Sequence, residues 1–218
     1  MTENKSKNDL AWESIFVELE ILEKIEQDGF FQISSAQINK HREARLLTKF
    51  DHAVQLPKIF QKNKLSIQPI FRGGYLIGTF DSYFKLPKKH LPDIIYIGFP
   101  FQTETVNPNN IHSESSAILC ASLSEMIDDV VGEKTKFTVF GRMSTGKFSY
   151  QIENTVNNKT QTVNVKNSQC EIDRGFEGES KFAIIEAKCE SVDDFIIRQL
   201  YYPYRLWKSK TSKEVIPK

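Results

Sequence analysis

The stretch Lys181-Phe182-Ala183-Ile184-Ile185-Glu186-Ala187-Lys188 constrains this chain more than any other. Ala183, Ile184 and Ile185 are apolar and run without interruption into a charged pair. A run of this length and type, preceded by a glycine-containing link, is a buried β-strand and commits the chain to a sheet. Side chains alternate along a strand, so Glu186 and Lys188 share one face while Ala187 turns to the other. A buried strand that ends in a carboxylate beside an ammonium is either building a site or reaching the surface. Asp173 lies thirteen positions upstream of Glu186, and a turn in RGFEGES would bring it beside Glu186 on an adjacent strand.

The chemistry that uses such a set is phosphodiester hydrolysis. A negative nucleophile must approach a negative phosphate, so a divalent cation has to neutralise charge and hold an activated water. Mg²⁺ takes hard oxygen ligands, commonly one or two carboxylates with waters and phosphate oxygens. Asp173 and Glu186 are the expected ligands, with the backbone carbonyl of Ala187 beside them. Lys188 would orient or deprotonate the water, or stabilise charge on the phosphate; residue types alone leave these open.

Asp173 followed by Glu186-Ala187-Lys188 at the end of an apolar strand resembles the Asp…(Asp/Glu)-x-Lys motif of the PD-(D/E)XK nuclease superfamily, and within it the type II restriction endonucleases. The resemblance covers about residues 113–210. It implies an α+β fold with an αβββαβ core, Asp173, Glu186 and the Ala187 carbonyl as metal ligands, Lys188 as the catalytic lysine, Mg²⁺ as cofactor, double-stranded DNA as substrate and a homodimer. Three departures stand. Ile172 replaces the motif's proline, and the segment order contains one more strand than the minimal core. The last core strand has only Val215 and Ile216 to form it, so that strand is expected to be missing or truncated in a chain that continues past Lys218.

Three further residues flank the motif. Glu171 shares a strand face with Asp173, as an extra ligand or as an exposed carboxylate. Glu114 opens a helix, where negative charge complements the N-terminus, although an acid on the first core helix joins the metal site in similar nucleases. Gln199 with Tyr202 is similar to a Gln-x-x-Tyr element of RecB-like relatives, while Tyr201, Tyr204 and Trp207 read as core-packing aromatics.

Upstream, helical spacing spans Leu10 to Gln27, with a glycine stop at Gly29. A short strand at 30–33, helical pieces at 34–60 and two β-rich runs at 66–71 and 75–80 around Arg72-Gly73-Gly74 follow. That is the order of a winged-helix unit; an irregular elaboration of one larger domain is the alternative. Ile94–Phe99 reads as a buried strand and 100–112 as a linker. From Ser113 the order is helix (113–131), strands at 136–142, 147–153, 160–172 and 182–187, and a helix over 192–208. The expected division is 1–99 as an accessory, DNA-recognition region and 113–218 as the nuclease core.

Composition excludes other classes. Three cysteines without CxxC spacing and four histidines without metal-ligand spacing argue against zinc and disulfides. Neither Gly73-Gly74 nor Gly146-Lys147 sits in a phosphate-binding loop motif. The polar N-terminus lacks a signal-peptide core and no run could cross a bilayer, so a cytoplasmic protein is expected. Net charge is +1, which leaves a DNA partner to local patches. Arg42 and Arg45 within a basic cluster, and Arg198 and Arg205 on the last helix, are the expected phosphate contacts. The rival reading is a non-enzymatic winged-helix DNA-binding protein with an α/β oligomerisation or sensing domain.

Overall fold

A computed structural model describes residues 5–87, 96–100, 102–188 and 191–218. In chain order its elements begin with α1 (Lys7–Glu18), α2 (Ile21–Asp28), β1 (Phe30–Ser34), α3 (Ser35–Asn39), α4 (Ala44–Leu47), α5 (Lys58–Lys62), β2 (Ser66–Phe71), β3 (Gly74–Gly78) and β4 (Tyr83–Lys85). They continue with α6 (Glu114–Leu123), α7 (Met126–Val131), β5 (Lys136–Ser144), β6 (Lys147–Glu153), β7 (Thr160–Lys166), β8 (Gln169–Glu177) and β9 (Lys181–Ile185). The last are β10 (Asp194–Ile196), α8 (Arg198–Lys208) and β11 (Glu214–Pro217). The fold is mixed α+β, and no described helix is long and apolar enough to cross a membrane.

The chain forms two compact units that interleave along the sequence. One contains 1–84, 144–169 and 194–198; the other contains 85–143, 170–193 and 199–218. This differs from the expected split into 1–99 and 113–218. The difference starts at Asn167, whose positive φ of 53° turns the chain where one strand over 160–172 was expected. Strand β7 ends before that turn and β8 begins after it. Hydrogen bonds from Thr145 N to Ser168 O and from Asn167 N to Gly146 O tie the two connections together.

In the first unit the sheet order is β1-β3-β2-β7-β6. Strands β1 and β2 flank β3 in antiparallel pairing, and β2 meets β7 in parallel through Phe71 and Lys166. Helix, short strand, helices and hairpin follow one another as expected, and the β6–β7 hairpin widens the sheet. The core below it is aromatic. Trp12 is fully buried, packs edge-on against Phe16 and Phe60, and donates from Nε1 to the Leu47 carbonyl at 3.0 Å. The expected helix over 10–27 is two helices, because Glu20 takes a left-handed conformation at φ 52°. The first helix starts at Lys7, ahead of Leu10, since Ser6 and Asp9 form a reciprocal capping box.

The second unit holds a four-stranded sheet, β11-β9-β8-β5. Strands β8 and β9 pair antiparallel, and β11 lies parallel to β9 after α8. One cluster of this unit gathers Ile118, Ile127 and Val131 from α6 and α7 with Phe176 and Ala183. Another gathers Ile172, Phe182, Ile184 and Val215 with Leu200, Tyr204 and Trp207 of α8. The sheet therefore has helices packed on each face.

Several expectations are corrected here. The last strand is present: four residues suffice for an edge strand whose Val215 is buried and whose backbone continues the ladder of β9, from Glu214 N to Ser180 O and from Lys218 N to Ile184 O. The helix over 113–131 breaks at Glu125, again left-handed at φ 62°. The link RGFEGES is mostly strand, because Arg174–Glu177 pair with Phe182–Ile185 and leave only 178–180 to turn. The helix over 192–208 starts at Arg198, since 194–196 form β10 beside β4. Residues 94 and 95 of the expected strand Ile94–Phe99 lie outside the described residues; Tyr96 and Ile97 are exposed and irregular, with Pro100 next. Cys120 and Cys170 are free and buried, while Cys189 lies outside the described residues.

Candidate functional site

The site grows from the β8–β9 pair. Arg174 pairs with Ile185, and the same register continued by one residue sets Asp173 opposite Glu186. Directly opposed residues of an antiparallel pair bring their Cβ atoms within about 5.5 Å. Along β8, Cys170 and Ile172 alternate as buried residues, but Gly175 and Phe176 are buried consecutively. Both faces of this sheet are covered by helices, which accounts for the consecutive burial, and the register with β9 runs unbroken from Arg174 to Glu177. Asp173 stands just beyond that paired stretch, and its Oδ2 accepts from the Ala187 N–H at 3.1 Å.

Glu186 and Lys188 lie just beyond β9, and both are largely buried, with side chains 14% and 20% exposed. Lys188 Nζ donates to Glu186 Oε1 at 2.5 Å and to the Ala187 carbonyl at 3.2 Å. Backbone pairing holds this turn, because Glu186 N donates to the Lys218 carbonyl at 3.0 Å. Burial pushes the Lys188 ammonium toward a lower pKa. Its hydrogen bond to Glu186 and the charges of Glu186, Glu114 and Asp173 outweigh that, and the pKa is raised. Lys188 is a cation at neutral pH in this arrangement.

Residues of two flanking helices bear on this pair, one by a hydrogen bond and one by its charge. Gln199, near the start of α8, donates from Nε2 to Glu186 Oε1 at 2.7 Å, while its own Oε1 is buried without a hydrogen-bond partner. Tyr202, by contrast, is a core residue at 1% exposure. Glu114 is the first residue of α6, capped by Ser113, and its charge is felt at Lys188. The helix-terminus role expected of Glu114 thus coexists with a place beside the site. Glu171 goes elsewhere: it is exposed and pairs with Arg142 Nε at 3.2 Å.

The expected DNA-binding arginines differ in their local surroundings. Arg45 is exposed and pairs with Glu43 at 2.6 Å. Arg42 and Arg198 each have a buried Nε without a hydrogen-bond partner. Arg205 donates to the Tyr201 hydroxyl at 2.8 Å and lies over that ring. His41, in the same basic cluster as Arg42, is bonded to Glu18. The neighbourhood of Gln199 and Glu114 depends on how α8 and α6 lie against the end of β9, which residue types do not specify.

No group of three or more His, Cys, Asp or Glu side chains placed to hold a metal occurs among the described residues. What converges is two carboxylates, one peptide carbonyl, one ammonium and one carboxamide. Such a set can bind a hard cation through oxygen or hold a structural ion pair.

Residues 78–218 match a family model described as a domain of unknown function (DUF6997), and residues 9–77 match a second, also of unknown function (DUF6996). No curated protein and no solved structure matches the chain.

Proposed function

Because the chain belongs to the DUF6997 family, whose activity is unknown, we propose its function from the site: Mg²⁺-dependent hydrolysis of phosphodiester bonds in double-stranded DNA, in the manner of a type II restriction endonuclease. The observation that carries this is the Asp173 carboxylate reaching the peptide between Glu186 and Lys188. The second unit supports it as well. With β6 and β7 in the other sheet, its elements run helix pair, β5, β8, β9, α8, β11. That order is compatible with the αβββαβ order expected of a restriction-endonuclease-like core, and it supports the reading in that sense.

The donor set suits the cation. Asp173, Glu186 and the Ala187 carbonyl are hard oxygen donors, and Mg²⁺ is commonly held by one or two carboxylates plus waters and substrate oxygens. When bound, Mg²⁺ would supply charge neutralisation and an acidified water. Lys188 brings a second positive charge to the scissile phosphate, 3.2 Å from the Ala187 carbonyl. Gln199 holds Glu186 in place through its amide. Cutting both strands of a palindromic site calls for two copies of the chain, hence a homodimer.

A second reading is supported by the first unit. Its order of helix, strand, helices and hairpin, with β1-β3-β2 as part of the sheet order β1-β3-β2-β7-β6, is similar to that of a winged helix. In that reading the protein binds DNA without cutting it, and Lys188 and Glu186 form a structural ion pair. One experiment separates the two: incubation with phage DNA and Mg²⁺, repeated with Lys188→Ala. Discrete fragments that disappear in the variant support the nuclease. Intact DNA with a retained gel shift, in Mg²⁺ and in Mn²⁺, supports the binding protein and ends the nuclease reading.

A further inference from the structure

The widened sheet of the first unit carries an unusual row. Lys147 of β6 stands directly opposite Lys166 of β7, and Lys166 pairs in turn with Phe71 of β2. Three neighbouring strands thus line up Phe71, Lys166 and Lys147, with Arg72 next in the turn to β3. All four are exposed, and no ion pair among the described residues involves Lys147, Lys166 or Arg72.

Like charges directly opposed on a sheet are destabilising. A short hairpin that places two lysines there without an acidic neighbour is maintaining a positive end. The same polar face shows the bias along its length. From the lysine pair it runs through Ser149 opposite Asn164 and Gln151 opposite Thr162 to Glu153 opposite Thr160. Its single acid is therefore six residues, roughly 20 Å, from the lysines. The cations are gathered where the hairpin meets the exposed Phe71 ring and Arg72.

We propose that this end of the sheet docks the phosphate backbone of duplex DNA, with Lys147, Lys166 and Arg72 each neutralising a phosphate. A polyanion removes the repulsion between the two lysines, and among the described residues no carboxylate pairs with either. The Phe71 ring offers an apolar contact to a deoxyribose beside those phosphates. The inference rests on the DNA part of the proposed function, not on the hydrolytic part.

The test is fluorescence anisotropy of a labelled 24-base-pair duplex with the full chain, in EDTA, from 50 to 300 mM NaCl. Wild type is compared with Lys147→Ala/Lys166→Ala and with that pair plus Arg72→Ala. These side chains are exposed, so the variants are expected to keep the wild-type circular dichroism. Each phosphate contact contributes about 0.9 to the slope of log K against log salt. The double variant should lower that slope by about 1.8 and the triple by about 2.7. At 0.1 M salt each lost contact is worth a factor of roughly 8. Unchanged slopes, a wild-type chain that does not bind the duplex, or tighter binding of an RNA duplex of equal length each overturn the proposal. Failure here is distinguishable from failure of the nuclease reading. A chain that cuts DNA while the double variant binds with an unchanged slope loses this surface alone; one that binds with the full slope but never cuts loses the hydrolysis alone.

Discussion

Replacing Asp9 by asparagine should destabilise the first unit by about 2–4 kcal/mol at neutral pH, through lost acceptors rather than lost volume. Asp9 is 6% exposed and accepts three hydrogen bonds, from Ser6 N at 2.9 Å and Ser6 Oγ at 2.7 Å on one oxygen and from Lys58 N at 2.8 Å on the other. It thereby closes the cap of α1 and pins the start of α5, 49 residues away. A carboxamide keeps one acceptor oxygen and turns an NH₂ toward the remaining donor. One charge-assisted bond is lost, worth about 1.5–3 kcal/mol, and so is a negative charge in the first helical turn, worth about 0.3–1 kcal/mol.

The pH dependence follows from the direction of its pKa. Burial raises the Asp9 pKa, but the Lys58 and Ser6 hydrogen bonds outweigh it and hold the carboxyl below 3.8. A depressed folded-state pKa means that its contribution is complete above about pH 3.8 and is lost as pH falls through the folded value. Urea titration followed by tryptophan fluorescence measures this. The chain has two tryptophans, Trp12 in the first unit and Trp207 in the second, so a Trp207→Phe background reports on Trp12. A difference below about 0.5 kcal/mol at pH 7, or a larger one undiminished toward pH 2, refutes the reasoning.

Two other outcomes follow from packing. A Cβ at Gly74 would meet the Phe71 ring, which is exposed and can swing aside, so Gly74→Ala should cost about 1 kcal/mol for the displaced ring. The cost should largely vanish in a Phe71→Ala background, and a double-mutant cycle measured by urea unfolding that shows simple additivity would contradict this contact. Burial pushes the Cys170 thiol up to about 11, so in a Cys120→Ser/Cys189→Ser background, where Cys170 is the one cysteine left, iodoacetamide at pH 8 should leave the native chain unlabelled by intact mass. Rapid labelling of Cys170 without denaturant would refute its burial.

What could be read from sequence was local. Period two placed Glu186 and Lys188 together, and Gly29 and Gly132 end their helices as glycine caps with φ 83° and 81°. Single residues in left-handed conformations were not legible. Glu20 and Glu125 carry no glycine signal, yet each breaks a helix that apolar spacing draws as continuous. Strand partners were equally hidden. Asn167-Ser168 is a turn signal, since Asn tolerates the left-handed region, but residue types do not say that the chain leaves one sheet for another there, and that turn decides the strand count of the second unit. The lysine row was invisible for the same reason, because Lys147 and Lys166 meet only through the register of the β6–β7 hairpin. Gln199 was legible as a residue type; its bond to Glu186 depends on how α8 lies against β9.

The interleaving of the units at 84, 143, 169, 193 and 198 has a consequence for biosynthesis. A ribosome delivers residues in order, and here neither half is complete when its first element leaves the exit tunnel. The first unit waits for residue 198 and the second for β11, so neither can finish folding until synthesis has passed the last of its own segments. Cutting the gene at 77/78, where the two family matches meet, would remove Gly78 from β3 and deprive the N-terminal sheet of β6 and β7. Such fragments should be insoluble when expressed apart, and recovery on co-expression would report how far the two pieces can find each other without a continuous backbone.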